Sequence, residues 1–163
     1  MDAALRDLTV PDGSCRDINL FGVTRSGAEQ LLTWVCSQFE SHIGSAYPSD
    51  EDVQPIEQAD FATPLAAGHM VRGYLERGSV LFDHLQYFVV PEDDGGCFVE
   101  LTFFPQDLHL DGSVGPIKEW LKSALVTAGA SGGFVRVENA SFDPAWDRRD
   151  HIEVIFAIAA EDA

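Results

Sequence analysis

A chain of 163 residues, 45 % hydrophobic, 10 % aromatic and 23 % charged, can bury a core without disulfide or metal staples, and it is too rich in large apolar groups for a disordered segment. Its 27 acids against 10 bases give a net charge of −17. That balance disfavours nucleic acid and anionic membranes, which present phosphates, and favours a basic protein partner, a cation or solubility alone.

The acids are spread: residues 1–60 hold 11 acids and 3 bases, 61–130 hold 9 and 4, and 131–163 hold 7 and 3. A single acidic domain over residues 1–163 is expected. No run approaches the roughly 18 apolar residues of a membrane helix. The opening MDAALRDLTVPDG has acids where a secretory leader has a basic end, so a cytoplasmic protein is expected. Cys15, Cys36 and Cys97 are odd in number and lack C-x-x-C spacing, which argues against a disulfide framework and a zinc site.

In chain order, residues 1–15 are polar around Pro11 and Gly13 and read as a loose N-terminal arm. Ile18 to Val23 reads as a strand. Ser26-Gly27-Ala28-Glu29 has the capping-box pattern, and Ala28, Leu32, Val35, Cys36, Phe39 and Ile43 follow at helical spacing. From Gly44 to Thr63 the chain is acidic and proline-broken, a long loop; 64–77 fits a helix started by Thr63-Pro64 or a strand equally well. Val80–Val90 and Cys97–Phe104 are β-like and joined by the turn-forming Pro91-Glu92-Asp93-Asp94-Gly95-Gly96. Gly115-Pro116 opens a second helix, which Gly129 ends. Phe134–Ser141 and His151–Ala159 complete the chain as strands.

This order contains β-α-β-β-α-β, the ferredoxin-like arrangement, plus a terminal strand. The expected fold is therefore α+β: a two-layer sandwich of a mainly antiparallel sheet, about five or six strands, with two helices on one face.

The turn sets which side chains share a face. A three-residue loop Asp93-Asp94-Gly95 with Gly95 left-handed makes opposed residue numbers sum to 188. Val89 then faces Val99, Tyr87 faces Leu101 and Leu85 faces Phe103, an apolar face. The opposite face pairs Val90 with Phe98, Phe88 with Glu100, Gln86 with Thr102 and His84 with Phe104. Phe134 falls on this outer side of a later strand, and Trp146 lies in the loop with Arg148 and Arg149. Phe88, Phe98, Glu100, Phe104, Phe134 and Trp146 are therefore the candidate partner-binding residues, because aromatics beside polar groups serve interfaces as anchors.

Asp107-Leu108-His109-Leu110-Asp111 is D-x-H-x-D. If extended, it projects three potential metal ligands together. No G-x-S-x-G, phosphate loop or dinucleotide fingerprint is present, and no motif calls for a cofactor. The leading expectation is a non-catalytic protein-binding module, of the immunity or inhibitor type, docking on a basic partner protein, with neither nucleic acid nor membrane as partner and with a homodimer through the outer sheet face as a further association. The alternatives are a small metal-dependent hydrolase using Asp107, His109 and Asp111, and an acid-rich domain adapted to salt.

Overall fold

The computed structural model describes residues 2–49, 52–57, 59–78, 80–137 and 154–162; Trp146 lies outside them. The elements in order are α1 (Ala3–Thr9), β1 (Arg16–Thr24), α2 (Arg25–Cys36), β2 (Phe39–Tyr47), β3 (Gln54–Pro55), α3 (Ala62–Ala66), β4 (Met70–Gly78), β5 (His84–Pro91), β6 (Gly96–Phe103), α4 (Gly115–Ala128), β7 (Gly132–Val137) and β8 (Val154–Ala159). The α+β class is as expected. The described sheet has eight strands rather than five or six, and the described residues form four α-helices rather than two.

The sheet runs β3-β2-β4-β5-β6-β1-β7-β8 with every ladder antiparallel. β1 lies between β6 and β7, with α2 leading from β1 to β2 and α4 from β6 to β7. This is the β-α-β-β-α-β order with its middle hairpin enlarged to the meander β2-β4-β5-β6. The two long helices pack on each other and share one core with the sheet: Trp34 and Trp120 have ring centroids 5.2 Å apart, and Phe82 meets both Trp120 and Phe103. Burial of Ile18, Leu20, Leu85, Tyr87, Val89, Val99, Leu101, Phe103 and Val135 fixes the helix-facing side.

The β5–β6 register is the one derived from the turn. Val89 opposes Val99, Tyr87 opposes Leu101 and Phe88 opposes Glu100. Gly95 has φ +90°, and the Glu92 N–H donates to the Gly96 carbonyl at 2.9 Å, leaving the three loop residues between them. α4 starts at Gly115-Pro116 and ends at Gly129 with φ +58°, the left-handed cap that glycine adopts without a Cβ penalty.

Other boundaries differ from expectation. The N-cap of α2 is Thr24, whose hydroxyl accepts from the Gly27 N–H at 3.0 Å, so Ser26 sits inside the first turn. α2 stops at Cys36, and Phe39 and Ile43, which continue its helical spacing, belong to β2. The ambiguous segment 64–77 contains both structures: α3, with Asp60 bonded to Thr63 at its start, then β4.

Within the segment expected as a loose arm, residues 3–9 form α1. Leu5 and Leu8, three apart on α1, are both buried. The loop that follows is folded onto Arg16, which is 1 % exposed. Its guanidinium donates to the carbonyls of Asp7, Val10, Ser14 and Cys15, to the Ser14 hydroxyl and to both Asp12 carboxylate oxygens. A buried cation of this kind is tolerable only because its hydrogen-bonding capacity is used. Hydrogen bonds from Ser14, and then the Arg16 guanidinium, hold the Asp12 carboxyl well below the usual carboxylate range.

Candidate docking face

Alternation along the strands places a second set of side chains on the face away from α2 and α4. The ladders line these up in rows. One row runs Ile43, Tyr74, Gln86, Thr102, Asp17 and Arg136; the next runs Ser45, Arg72, Phe88, Glu100, Asn19 and Phe134. Phe88 and Glu100 are thus brought onto one face as expected, but the face divides into two unlike halves.

The half on β6, β1 and β7 is closed. Arg136 Nη2 reaches both Asp17 Oδ2 and Glu100 Oε2 at 3.4 Å. The Thr102 hydroxyl donates to Asp17 Oδ1 at 2.9 Å, and Asn19 Nδ2 donates to Glu100 Oε2 at 3.1 Å. Asp17 and Asn19 are buried. Among the described residues Asn19 Oδ1 and Arg136 Nε have no hydrogen-bond partner. Phe98 and Phe134, on this half, are each 7 % exposed, so little of either ring is left to present to a partner. Strand alternation gives the face of a side chain, and coverage of that face comes from elsewhere in the fold. Phe98 meets Phe88 at 6.2 Å and Phe134 meets Phe21 at 6.4 Å.

The half on β2, β4 and β5 is open. Ile43 is 66 % exposed, Arg72 is exposed, and Tyr74, Glu76, His84 and Phe88 are half-buried. The Tyr74 and His84 rings stack with centroids 5.8 Å apart and an interplanar angle of 10°. His84 Nδ1 is 2.9 Å from Asp107 Oδ1, and Glu76 stands opposite His84 in the ladder. Burial first, then the Glu76 and Asp107 charges, push the Tyr74 hydroxyl above its ordinary value. Phe104, beyond the end of β6, is 37 % exposed.

The D-x-H-x-D residues do not converge. Residues 105–107 form a single 3-10 turn, after which Phe82 and Leu108 make a lone antiparallel bridge. The bridge sends Asp107 to His84, while His109 Nε2 pairs with Asp83 Oδ2 at 2.9 Å; Asp111 is exposed. Among the described residues there is no group of three His, Cys, Asp or Glu side chains placed to hold a metal ion. Each of the two His–Asp pairs joins residues more than twenty positions apart in sequence, so no local motif marks it. The available signal was the alternation of 82–84 against 107–109.

Beneath the open half, on the helix side, Tyr87 lies across the paired glycines Gly44 and Gly73. Its hydroxyl is 2.7 Å from His42 Nε2, and Phe61 packs edge-on against its ring. Burial raises the Tyr87 hydroxyl far above the usual range, pushes the Cys36 thiol up to about 12 and lowers His42. A neutral thiol of this kind is a packing group and not a nucleophile.

No family model and no curated protein matches the chain. In fold it is similar to a chain of the crystal structure of the toxic C-terminal tip of CdiA from Pseudomonas aeruginosa in complex with an immune protein. The TM-score is 0.59 at 15 % identity, over 88 % of this chain and 94 % of that one.

Proposed function

We propose that this protein is a non-catalytic binding module of the immunity or inhibitor type, which docks on a basic partner protein through the acidic, aromatic-containing outer face of its sheet. The observation that carries the reading is the open half of that face, with Ile43, Tyr74 and Phe88 set in a chain of net charge −17. A protein that acts on phosphate-rich targets needs a basic surface, and a protein that masks such a surface needs the opposite sign. The likeness to a structure pairing a toxic tip with an immune protein supports the same reading. Acidic charge speeds encounter, and apolar anchors slow dissociation.

The test is binding to the protein encoded beside this chain, followed by calorimetry at 50 and 500 mM NaCl. The expected result is a stoichiometric complex whose affinity falls by about tenfold or more across that range, because salt screens opposite charges. No complex at either salt concentration rejects the reading.

A further inference from the structure

We infer that the Tyr74–His84 stack, flanked by Glu76 and Asp107, is the receiving site for an arginine side chain of the partner; this rests on the docking reading above. The four residues sit together on the open half of the sheet's outer face. Tyr74 and His84 offer a flat, nearly parallel ring pair. Glu76 stands opposite His84 in the β4–β5 ladder, and Asp107 is held against His84 Nδ1 at 2.9 Å. Glu76, two residues from Tyr74 on β4, shares its face of the strand, and Asp107 reaches the stack through His84.

Among the described residues neither carboxylate is in an ion pair with a lysine or arginine. Arg77, next to Glu76 in sequence, is turned away to Glu40 at 3.0 Å. The surrounding surface is open, with Ile43 beside Tyr74 in the ladder and 66 % exposed.

The chemistry selects arginine over the other cations. The carboxylates are not part of any three-ligand metal group among the described residues. A guanidinium is planar, stacks on aromatic faces and presents several N–H donors at once, whereas an ammonium is a compact, strongly hydrated point charge. A flat ring pair edged by two carboxylates matches the first shape.

The probe is Nα-acetyl-arginine amide titrated into the full chain in 150 mM NaCl and followed by NMR, with Nα-acetyl-lysine amide as the comparison. The expected result is saturable shifts confined to β4, β5 and residues 105–107, with arginine binding about threefold or more tighter than lysine. The Glu76→Gln/Asp107→Asn double variant should lose most of that difference. Should it fold poorly, Tyr74→Leu removes the stacking surface while keeping both charges, and should abolish the arginine preference.

Non-saturating shifts spread over the acidic surface, or equal responses to the two probes, overturn the inference. Because no partner is present, the result is separable from the docking reading. A chain that captures the neighbouring protein but shows no arginine preference loses only this site. A chain with the preference and no complex loses only the partner.

Discussion

The two halves of the outer sheet face are built from the same strand alternation and end in opposite states. Over β6, β1 and β7, charged and amide groups are bonded to one another and largely buried; over β2, β4 and β5, apolar and aromatic groups remain at the surface. A buried ion pair contributes little net stability by itself, but it is costly to break once desolvated. An exposed isoleucine contributes little to folding and is available to a partner. The closed half therefore serves the fold, and the open half is free to serve binding.

The sharpest test of that division is Asp17→Ala. The substitution removes one of the two carboxylates that hold Arg136 and the acceptor of the Thr102 hydroxyl. Leaving the largely buried Arg136 half-paired costs about 3 kcal/mol, which for a chain of this size lowers the melting temperature by about 6–12 °C. Thermal and urea unfolding measure it. A loss below about 1 kcal/mol would mean that the network is well hydrated and that the two halves do not differ in kind.

The open half needs a rigid base, and Gly73→Ala probes it from below. An added Cβ would lie 2.3 Å from Tyr87 Oη and 2.4 Å from its ring carbon Cζ. Tyr87 is 2 % exposed and packed between His42 and Phe61, so it has no room to retreat. Overpacking of this sort costs about 1–3 kcal/mol, read as a lower urea midpoint. Gly115→Ala, whose nearest neighbour would be Ser113 Oγ at 3.5 Å, is the control and should shift stability by less than about 0.5 kcal/mol.

What could be read before folding follows the range of the interactions. Gly95 sets the β5–β6 register and Gly129 ends α4 because each acts on its own few residues. The end of α2 was hidden because Phe39 and Ile43 keep helical spacing after the chain turns at Ser37. The N-terminal segment reads as polar because its organiser, Arg16, is itself charged, and only its set of hydrogen bonds makes it a core residue. For Phe98 and Phe134 the alternation gave the face correctly. Their coverage is a long-range property, and it leaves the other half of the face, at Ile43, Tyr74 and His84, as the open one.

A third test separates the two halves by pH. His42, under the open half, is lowered below its ordinary value of 6.5 by burial. Its neutral form therefore contributes stability that is present above the unfolded pKa and is lost as pH falls toward the folded pKa. Melting temperature should decline from pH 7 toward pH 5, before carboxylate protonation dominates, and His42→Gln should flatten that decline. An unchanged slope in the variant would assign the pH dependence to other groups.

The smallest stability effect is expected at Ile43, and this is where the comparison is most exposed to refutation. With 66 % of the residue already in solvent, Ile43→Ser removes little buried area and should change unfolding free energy by less than about 0.5 kcal/mol. If the open half is the docking face, the same substitution should weaken the complex with the neighbouring protein by about tenfold, equivalent to about 1.4 kcal/mol, mainly through faster dissociation. Asp17→Ala, measured well below its melting temperature, should leave that affinity nearly intact. If instead Ile43→Ser leaves binding untouched while Asp17→Ala abolishes it in a folded protein, the partner recognises the half on β6, β1 and β7, and the roles of the two regions are reversed.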